Sequence, residues 1–177
     1  MHEHFFRKGM TVMTDRTALK PLPNRAENPC FGCGPANPTG LRMQFATDGE
    51  SVYSWLSVPP HLGGWHSLAH GGVLFTILDE VMGRAIIYSR KCLVMTKSIT
   101  MDFQKPVPIG REIKTTAKLS EIRSERESVA ESFIYNEAGE VCARATGVFA
   151  TFPREVARKL GIADEVMLEW FESYIRA

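Results

Sequence analysis

The chain has 177 residues, 44% hydrophobic and 23% charged, with a formal net charge of +1. This length suits one domain with a sizeable core. Basic and acidic residues are interspersed, which excludes the electrostatic footprint of a nucleic-acid or anionic-membrane binder, so neither partner is expected. Met1 to Lys8 carry an early acid, Glu3, and lack the apolar core of a secretory leader. Cytoplasmic location is the expectation, with the four cysteines as reduced thiols.

Residues 1–28 mix charges with Pro21 and Pro23 and show no period, the pattern of a flexible arm. The stretch from Asn28 to Leu41 is dense in turn formers and contains Cys30 and Cys33 as a CxxC. A structural zinc takes four ligands, and Cys92 and Cys142 stand singly and far away. A redox CxxC opens a helix after a strand, whereas this one sits among Gly and Pro. A turn with reduced thiols is therefore expected.

Met43–Ala46 and Val52–Val58 bracket Asp48-Gly49 and predict a β-hairpin, ended by Pro59-Pro60. A loop bearing His61 and His66 then leads to His70-Gly71-Gly72. From Val73 to Ile87 apolar residues leave almost no polar side, which predicts a helix buried all round, ending near Arg90-Lys91. Spans 93–103, 112–122, 128–135 and 141–152 have strand-like alternation, separated by turn formers. After Pro153 come two short helical patterns, the second with Val166, Met167, Trp170, Phe171, Tyr174 and Ile175 on one stripe. The class is α+β: an antiparallel sheet around one long central helix, with a helical C-terminal extension. Domain limits are expected at 1–28, 29–152 and 153–177. One sheet cannot cover an all-apolar helix, so a symmetric partner that continues the sheet is expected.

Asp79 and Glu80 are two consecutive carboxylates inside that helix, and burying them is costly without a reason. Glu80 has Arg84 four residues on, the spacing of a helical ion pair. That leaves Asp79 as the one in need of a functional account.

His-Gly-Gly, an apolar helix and an Asp nine residues after the His resemble the hotdog-fold acyl-CoA thioesterases, in particular the phenylacetate-pathway type. The upstream segment from Cys30 to Leu41, and Asp102-Phe-Gln-Lys-Pro106 through Gly110, are similar to the same group. The resemblance covers roughly residues 28–152. It implies a hotdog fold and hydrolysis of a small to medium acyl-CoA, aromatic or aliphatic. A glycine after the His would give an oxyanion-hole N–H, and the Asp would act as general base or nucleophile. No metal and no cofactor are implied, coenzyme A being part of the substrate.

Helix geometry adds a constraint. Gly71 and Gly72 stand where the helix starts, so their N–H groups and the helix dipole can face a developing oxyanion. Asp79 follows Gly72 by two turns and lies on the same face, roughly 10 Å along the axis. Base and oxyanion donor must each be about 3 Å from the reacting group. One helix cannot supply both to one carbonyl. With both implied roles, the site lies between antiparallel helices of two subunits, so a homodimer with shared active sites is expected, and a dimer of dimers as the assembly.

Among the neighbours, His70 is either a general base or a cap that orients the loop. Glu80 ranks behind Asp79 as the catalytic carboxylate. Thr96, ten residues before Pro106, matches a site threonine of related thioesterases and would position water; otherwise it is a polar strand residue. Lys105, Arg111, Arg123 and Arg126 stand at strand ends or turns where they can meet the phosphates of coenzyme A. His61, His66 and His70 lack the spacing of a zinc helix. Two further functions stay open: a hotdog hydratase or dehydratase, and a non-catalytic acyl-CoA-binding module.

Overall fold

The computed structural model describes residues 14–176. Its strands are β1 (Lys20–Pro21), β2 (Ala46–Thr47), β3 (Val52–Ser57), β4 (Leu93–Phe103), β5 (Glu112–Ser124), β6 (Glu127–Tyr135) and β7 (Val141–Phe152). They form one antiparallel sheet in the order β1-β2-β3-β5-β6-β7-β4. Helix α1 (Gly71–Arg90) lies between β3 and β4 in the chain, and α2 (Arg154–Lys159) and α3 (Glu165–Arg176) follow β7. The hotdog fold expected from the sequence is the fold observed.

Local chemistry sets the ends of α1. His70 is its N-cap and accepts the Gly72 N–H on the ring, while Lys91 turns left-handed at φ 52° and ends it by bonding to the Ile87 carbonyl. Val73, Leu74, Ile77, Leu78, Val81, Met82, Ala85 and Ile86 are buried, and α1 contacts β3, β4, β5, β6 and β7. The expectation of a helix buried all round is corrected. Gly72, Phe75, Thr76 and Asp79 form a stripe at i, i+3, i+4 and i+7 that the sheet does not cover, with Phe75 40% exposed. The apolar pattern hid it because Phe75 reads as core and glycine carries no polarity.

The hairpin β2–β3 turns at Asp48–Gly49, where Gly49 takes φ +101° and the Asp48 carboxylate accepts the Glu50 and Ser51 N–H groups. Residues 1–13 of the expected flexible arm lie outside the described residues. The rest needs correcting, because β1 pairs with β2 and Leu22 is buried with its N–H on the Phe45 carbonyl. A backbone that finds a sheet edge is held by it whatever its sequence period.

The C-terminal helices also dock. Leu168, Phe171 and Tyr174 of α3 are buried, Trp170 Nε1 donates to the Pro23 carbonyl at 3.3 Å, and the Tyr174 hydroxyl donates to the Arg84 carbonyl at 3.4 Å. Among the described residues no helix is long and apolar enough to cross a membrane.

Candidate active site

Asp79 lies mid-way along α1 on the uncovered stripe, and Thr96 of β4 donates its hydroxyl to the Asp79 carboxylate at 2.7 Å. A β-bulge places Thr96 there: β4 pairs in register with β7 up to Thr96↔Phe149 and resumes at Ser98↔Val148, leaving Lys97 as the extra residue. Burial holds the Asp79 carboxyl above its ordinary range, with the Thr96 hydrogen bond pulling the other way and the Glu80 charge adding to the rise. A carboxylate so held is a stronger base than a solvated one.

A cavity of about 390 Å³ opens beside this pair. Asp79, Glu80, Arg84 and Thr96 line it together with Cys30, Cys33 and Trp170. The cysteines are a finding of the structure. The 30–33 turn lies on α1, and Cys30 Sγ meets Glu80 Oε1 at 3.2 Å. Arg84 Nη2 donates to Cys33 Sγ at 3.0 Å. The expected Glu80–Arg84 pair is thereby corrected: no salt bridge joins them among the described residues, and each side chain turns to a different cysteine. A thiol within reach competes with a surface-type i, i+4 pair once the residues are buried.

The two thiols bear on each other: the neighbouring Cys33 holds the Cys30 thiol below its ordinary range, and Cys30, then burial, pushes the Cys33 thiol up. Burial, then the Cys30 charge, pushes the Glu80 carboxyl up to about 7. Gly32, between the cysteines, is required by close approach, since a Cβ there would stand 2.3 Å from Glu80 Cγ and 2.6 Å from Cδ. Gly32→Ala is expected to drive Glu80 off Cys30 at a cost of about 1–3 kcal/mol, read as a lower melting temperature. An unchanged melt would show that the turn yields freely.

The other half of the predicted constellation sits at the N-terminus of α1. The Gly72 N–H, expected as the free oxyanion donor, is instead held by His70 Nδ1 at 3.0 Å. His70 acts here as the helix cap, one of the two roles expected of it. No hydrogen bond among the described residues engages the Gly71 N–H, which as the first helical donor has no preceding turn to bond. A second cavity of about 420 Å³ adjoins this end, lined by Gly71, Leu74, Phe103, Lys105 and Val107 among others.

The four cations expected to meet phosphates divide between the two ends. Lys105 lines the Gly71 cavity and pairs with Glu140, and Arg111 stands 3.9 Å from Glu137. Arg123 meets Glu121 at 3.2 Å and Glu127 at 3.5 Å, in and beside the β5–β6 turn that also carries Arg126. Register through β6 and β7 sets that turn on the Thr96 side of the sheet. His61 bonds through Nε2 to the Thr39 carbonyl at 3.1 Å and joins no metal-ligand group with the other histidines among the described residues.

Comparison with known proteins bears on these features. Residues 66–143 match the family model described as the thioesterase superfamily. Acyl-coenzyme A thioesterase THEM4 of Xenopus laevis is 30% identical over 67 residues, 38% of this chain and 30% of that protein. Its Rattus norvegicus counterpart is 26% identical over 89 residues, 50% of this chain and 38% of that protein. The chain thus matches less than two-fifths of either curated relative's length. A solved thioesterase superfamily protein superposes with a TM-score of 0.63 at 26% identity, covering 71% of this chain and 60% of that one. The E. coli PaaI protein from the phenylacetic acid degradation operon superposes with a TM-score of 0.57 at 21% identity, covering 64% of this chain and 81% of that one, which is a likeness of fold. The His70–Asp79 helix thus lies inside the segment that is similar to the thioesterase superfamily, and the sheet wrapped around it is the hotdog fold of the solved superfamily protein it superposes on.

Proposed function

We propose that the protein is an acyl-CoA thioesterase of the phenylacetate-pathway type, hydrolysing a small to medium acyl-CoA to the free acid and coenzyme A. The observation that carries it is the Asp79–Thr96 pair, a half-buried carboxylate with its hydroxyl partner at the mouth of a cavity. Asp79 takes a proton from water that Thr96 helps to place, and the water oxygen bonds to the thioester carbon. The resulting oxyanion is held by helix N-terminal N–H groups, and collapse breaks the C–S bond to release the thiolate. Gly71 supplies the first N–H, and Gly72 adds a second when the His70 ring turns away. Direct attack by the Asp79 carboxylate is the other route open to the same residues. No step is routed through a metal.

Separation of the two halves supports a site shared between two copies. Asp79 and Gly72 lie on one uncovered stripe, roughly 10 Å apart along the axis. Antiparallel pairing of that stripe with its copy sets Gly72 of one against Asp79 of the other. β4 is a sheet edge eleven residues long, with Met95 and Phe103 exposed, free to extend the sheet into the second copy. Stacking of two such dimers gives the dimer of dimers. In this arrangement the cations at both ends of α1 converge on each site. Lys105 and Arg111 then come from one copy, with Arg123 and Arg126 from the other.

Mixing subunits tests the shared site. Asp79→Asn and Gly72→Pro homodimers are each expected to be inactive. Their mixture regains one intact site in each heterodimer, up to a quarter of wild-type activity. A mixture shown by mass to contain heterodimers and still inactive overturns the shared site. Thiol release from a panel of acyl-CoAs tests the reaction itself, and binding without turnover across the panel would leave an acyl-CoA-binding module in its place.

A further inference from the structure

The turn that brings Cys30 and Cys33 onto α1 does more than close a cavity. Cys30 Sγ, Cys33 Sγ and a Glu80 carboxylate oxygen lie within 4.8 Å of one another. Two ligands of one tetrahedral zinc, at about 2.3 Å for sulfur and 2.0–2.2 Å for oxygen, stand roughly 3.5–3.8 Å apart. The three atoms are thus gathered within about an ångström of the spacing that a single ion imposes. The cysteine and histidine spacing alone offers no such site. The third donor, Glu80, stands 47 residues after Cys33 on a different element.

Charge is the second observation. Arg84 is only 6% exposed, and no carboxylate reaches it within salt-bridge distance among the described residues. Phe45, Trp170 and Tyr174 enclose its guanidinium at 5.2, 4.8 and 5.6 Å, and its Nη1 is buried without a partner. The guanidinium keeps its proton and needs negative charge nearby. Two thiolates and a carboxylate would overshoot it by two charges, the amount a divalent cation supplies. The surroundings also suit anionic sulfur. Arg84 Nη2 at 3.0 Å and Asn28 Nδ2 at 3.5 Å both donate to Cys33 Sγ, as outer-shell donors do at metal thiolates.

We propose that Cys30, Cys33 and Glu80 bind a thiophilic divalent cation of the zinc class, with Arg84 and Asn28 as outer donors. Two sulfur ligands select this class over magnesium or calcium. The fourth coordination position is left to water in the cavity shared with Asp79 and Thr96. Metal binding takes the sulfur ligands as thiolates and Glu80 as a carboxylate, so any proton on them leaves as the ion enters. The ion fastens the 30–33 turn to α1 one residue from Asp79. That ties the wall of the cavity to the helix which carries the base.

The test uses the full chain, freed of metal with a chelator and kept reduced with a phosphine. Cobalt(II) titration is expected to give a near-ultraviolet thiolate-to-cobalt charge-transfer band that saturates at one equivalent and is bleached by zinc. Cys30→Ser and Cys33→Ser are each expected to weaken binding by at least about tenfold and to reduce the band. Glu80→Gln weakens binding while keeping the band at saturation. Should a variant not fold, the wild type gives an independent readout. Zinc is expected to protect Cys30 and Cys33 from alkylation and leave Cys92 and Cys142 unchanged, as seen by peptide mass. No charge-transfer band, a band unaltered in both folded serine variants, or equal alkylation with and without zinc overturns the site. Neither readout involves thioester turnover, so a failed thioesterase assay and a failed metal assay are separate results.

Discussion

Asp79→Asn is expected to lower kcat for acyl-CoA hydrolysis by roughly 10²–10⁴-fold, the range for losing a positioned general base. This corresponds to about 3–5 kcal/mol of barrier. The amide keeps the shape of the carboxylate and can still accept the Thr96 hydroxyl, which donates to it at 2.7 Å in the wild type. Binding is therefore preserved better than turnover, and the loss falls on kcat with little change in KM. Because burial disfavours the charged form of Asp79, removing the charge is expected to leave the melting temperature unchanged or raise it. Steady-state thiol release with a thermal melt of the same sample checks both points. A variant within threefold of wild-type kcat would remove Asp79 from the reaction. A variant that melts early would mean that the loss came from folding.

The second large effect concerns stability. Ile77 has no exposed surface and stands two positions before Asp79 on the face of α1 turned to the sheet. Ile77→Ala is expected to cost about 2–5 kcal/mol, the lost transfer energy plus the cavity left behind. For a chain of this size that lowers the melting temperature by roughly 4–20 °C. Denaturant unfolding checks it: the midpoint should fall with an unchanged slope. A cost under about 1 kcal/mol would mean that the sheet closes onto the helix more readily than a well-packed core allows.

Much of the fold was legible in the chain because its signals are local. Strands β4 and β7 have the ends that alternation predicted, and the hairpin turn at Asp48–Gly49 is fixed by side chains within five residues of it. The placement of the candidate residues was legible where one helix period relates them, as Gly72 and Asp79 share one uncovered stripe. What escaped the sequence reading depends on contacts across the chain. Glu80 and Arg84 looked like partners at i, i+4, and only the return of Cys30 and Cys33 onto α1 shows what each bonds. His70 looked like a candidate base, yet its ring is taken by an N–H two residues away, a choice of rotamer that no period records. The pairing of Lys20–Pro21 with β2 was missed for a similar reason, since two residues carry no strand signal of their own.

The strand order has a further meaning for how the molecule comes to exist. β4 follows α1 directly in the chain, yet it pairs only with β7, the last strand to be made. A growing chain can close β3, β5 and β6 around α1 while β4 still has no hydrogen-bonding neighbour. Only when residues 141–152 emerge does β4 gain its ladder, and with it Thr96 reaches Asp79. Such non-local pairing is slow, and an open strand bearing Met95 and Phe103 is an aggregation risk until it is joined. Asp79 is made early in synthesis, but the hydroxyl that completes its hydrogen-bonded pair is set in place last, so assembly of the Asp79–Thr96 pair coincides with closure of the sheet.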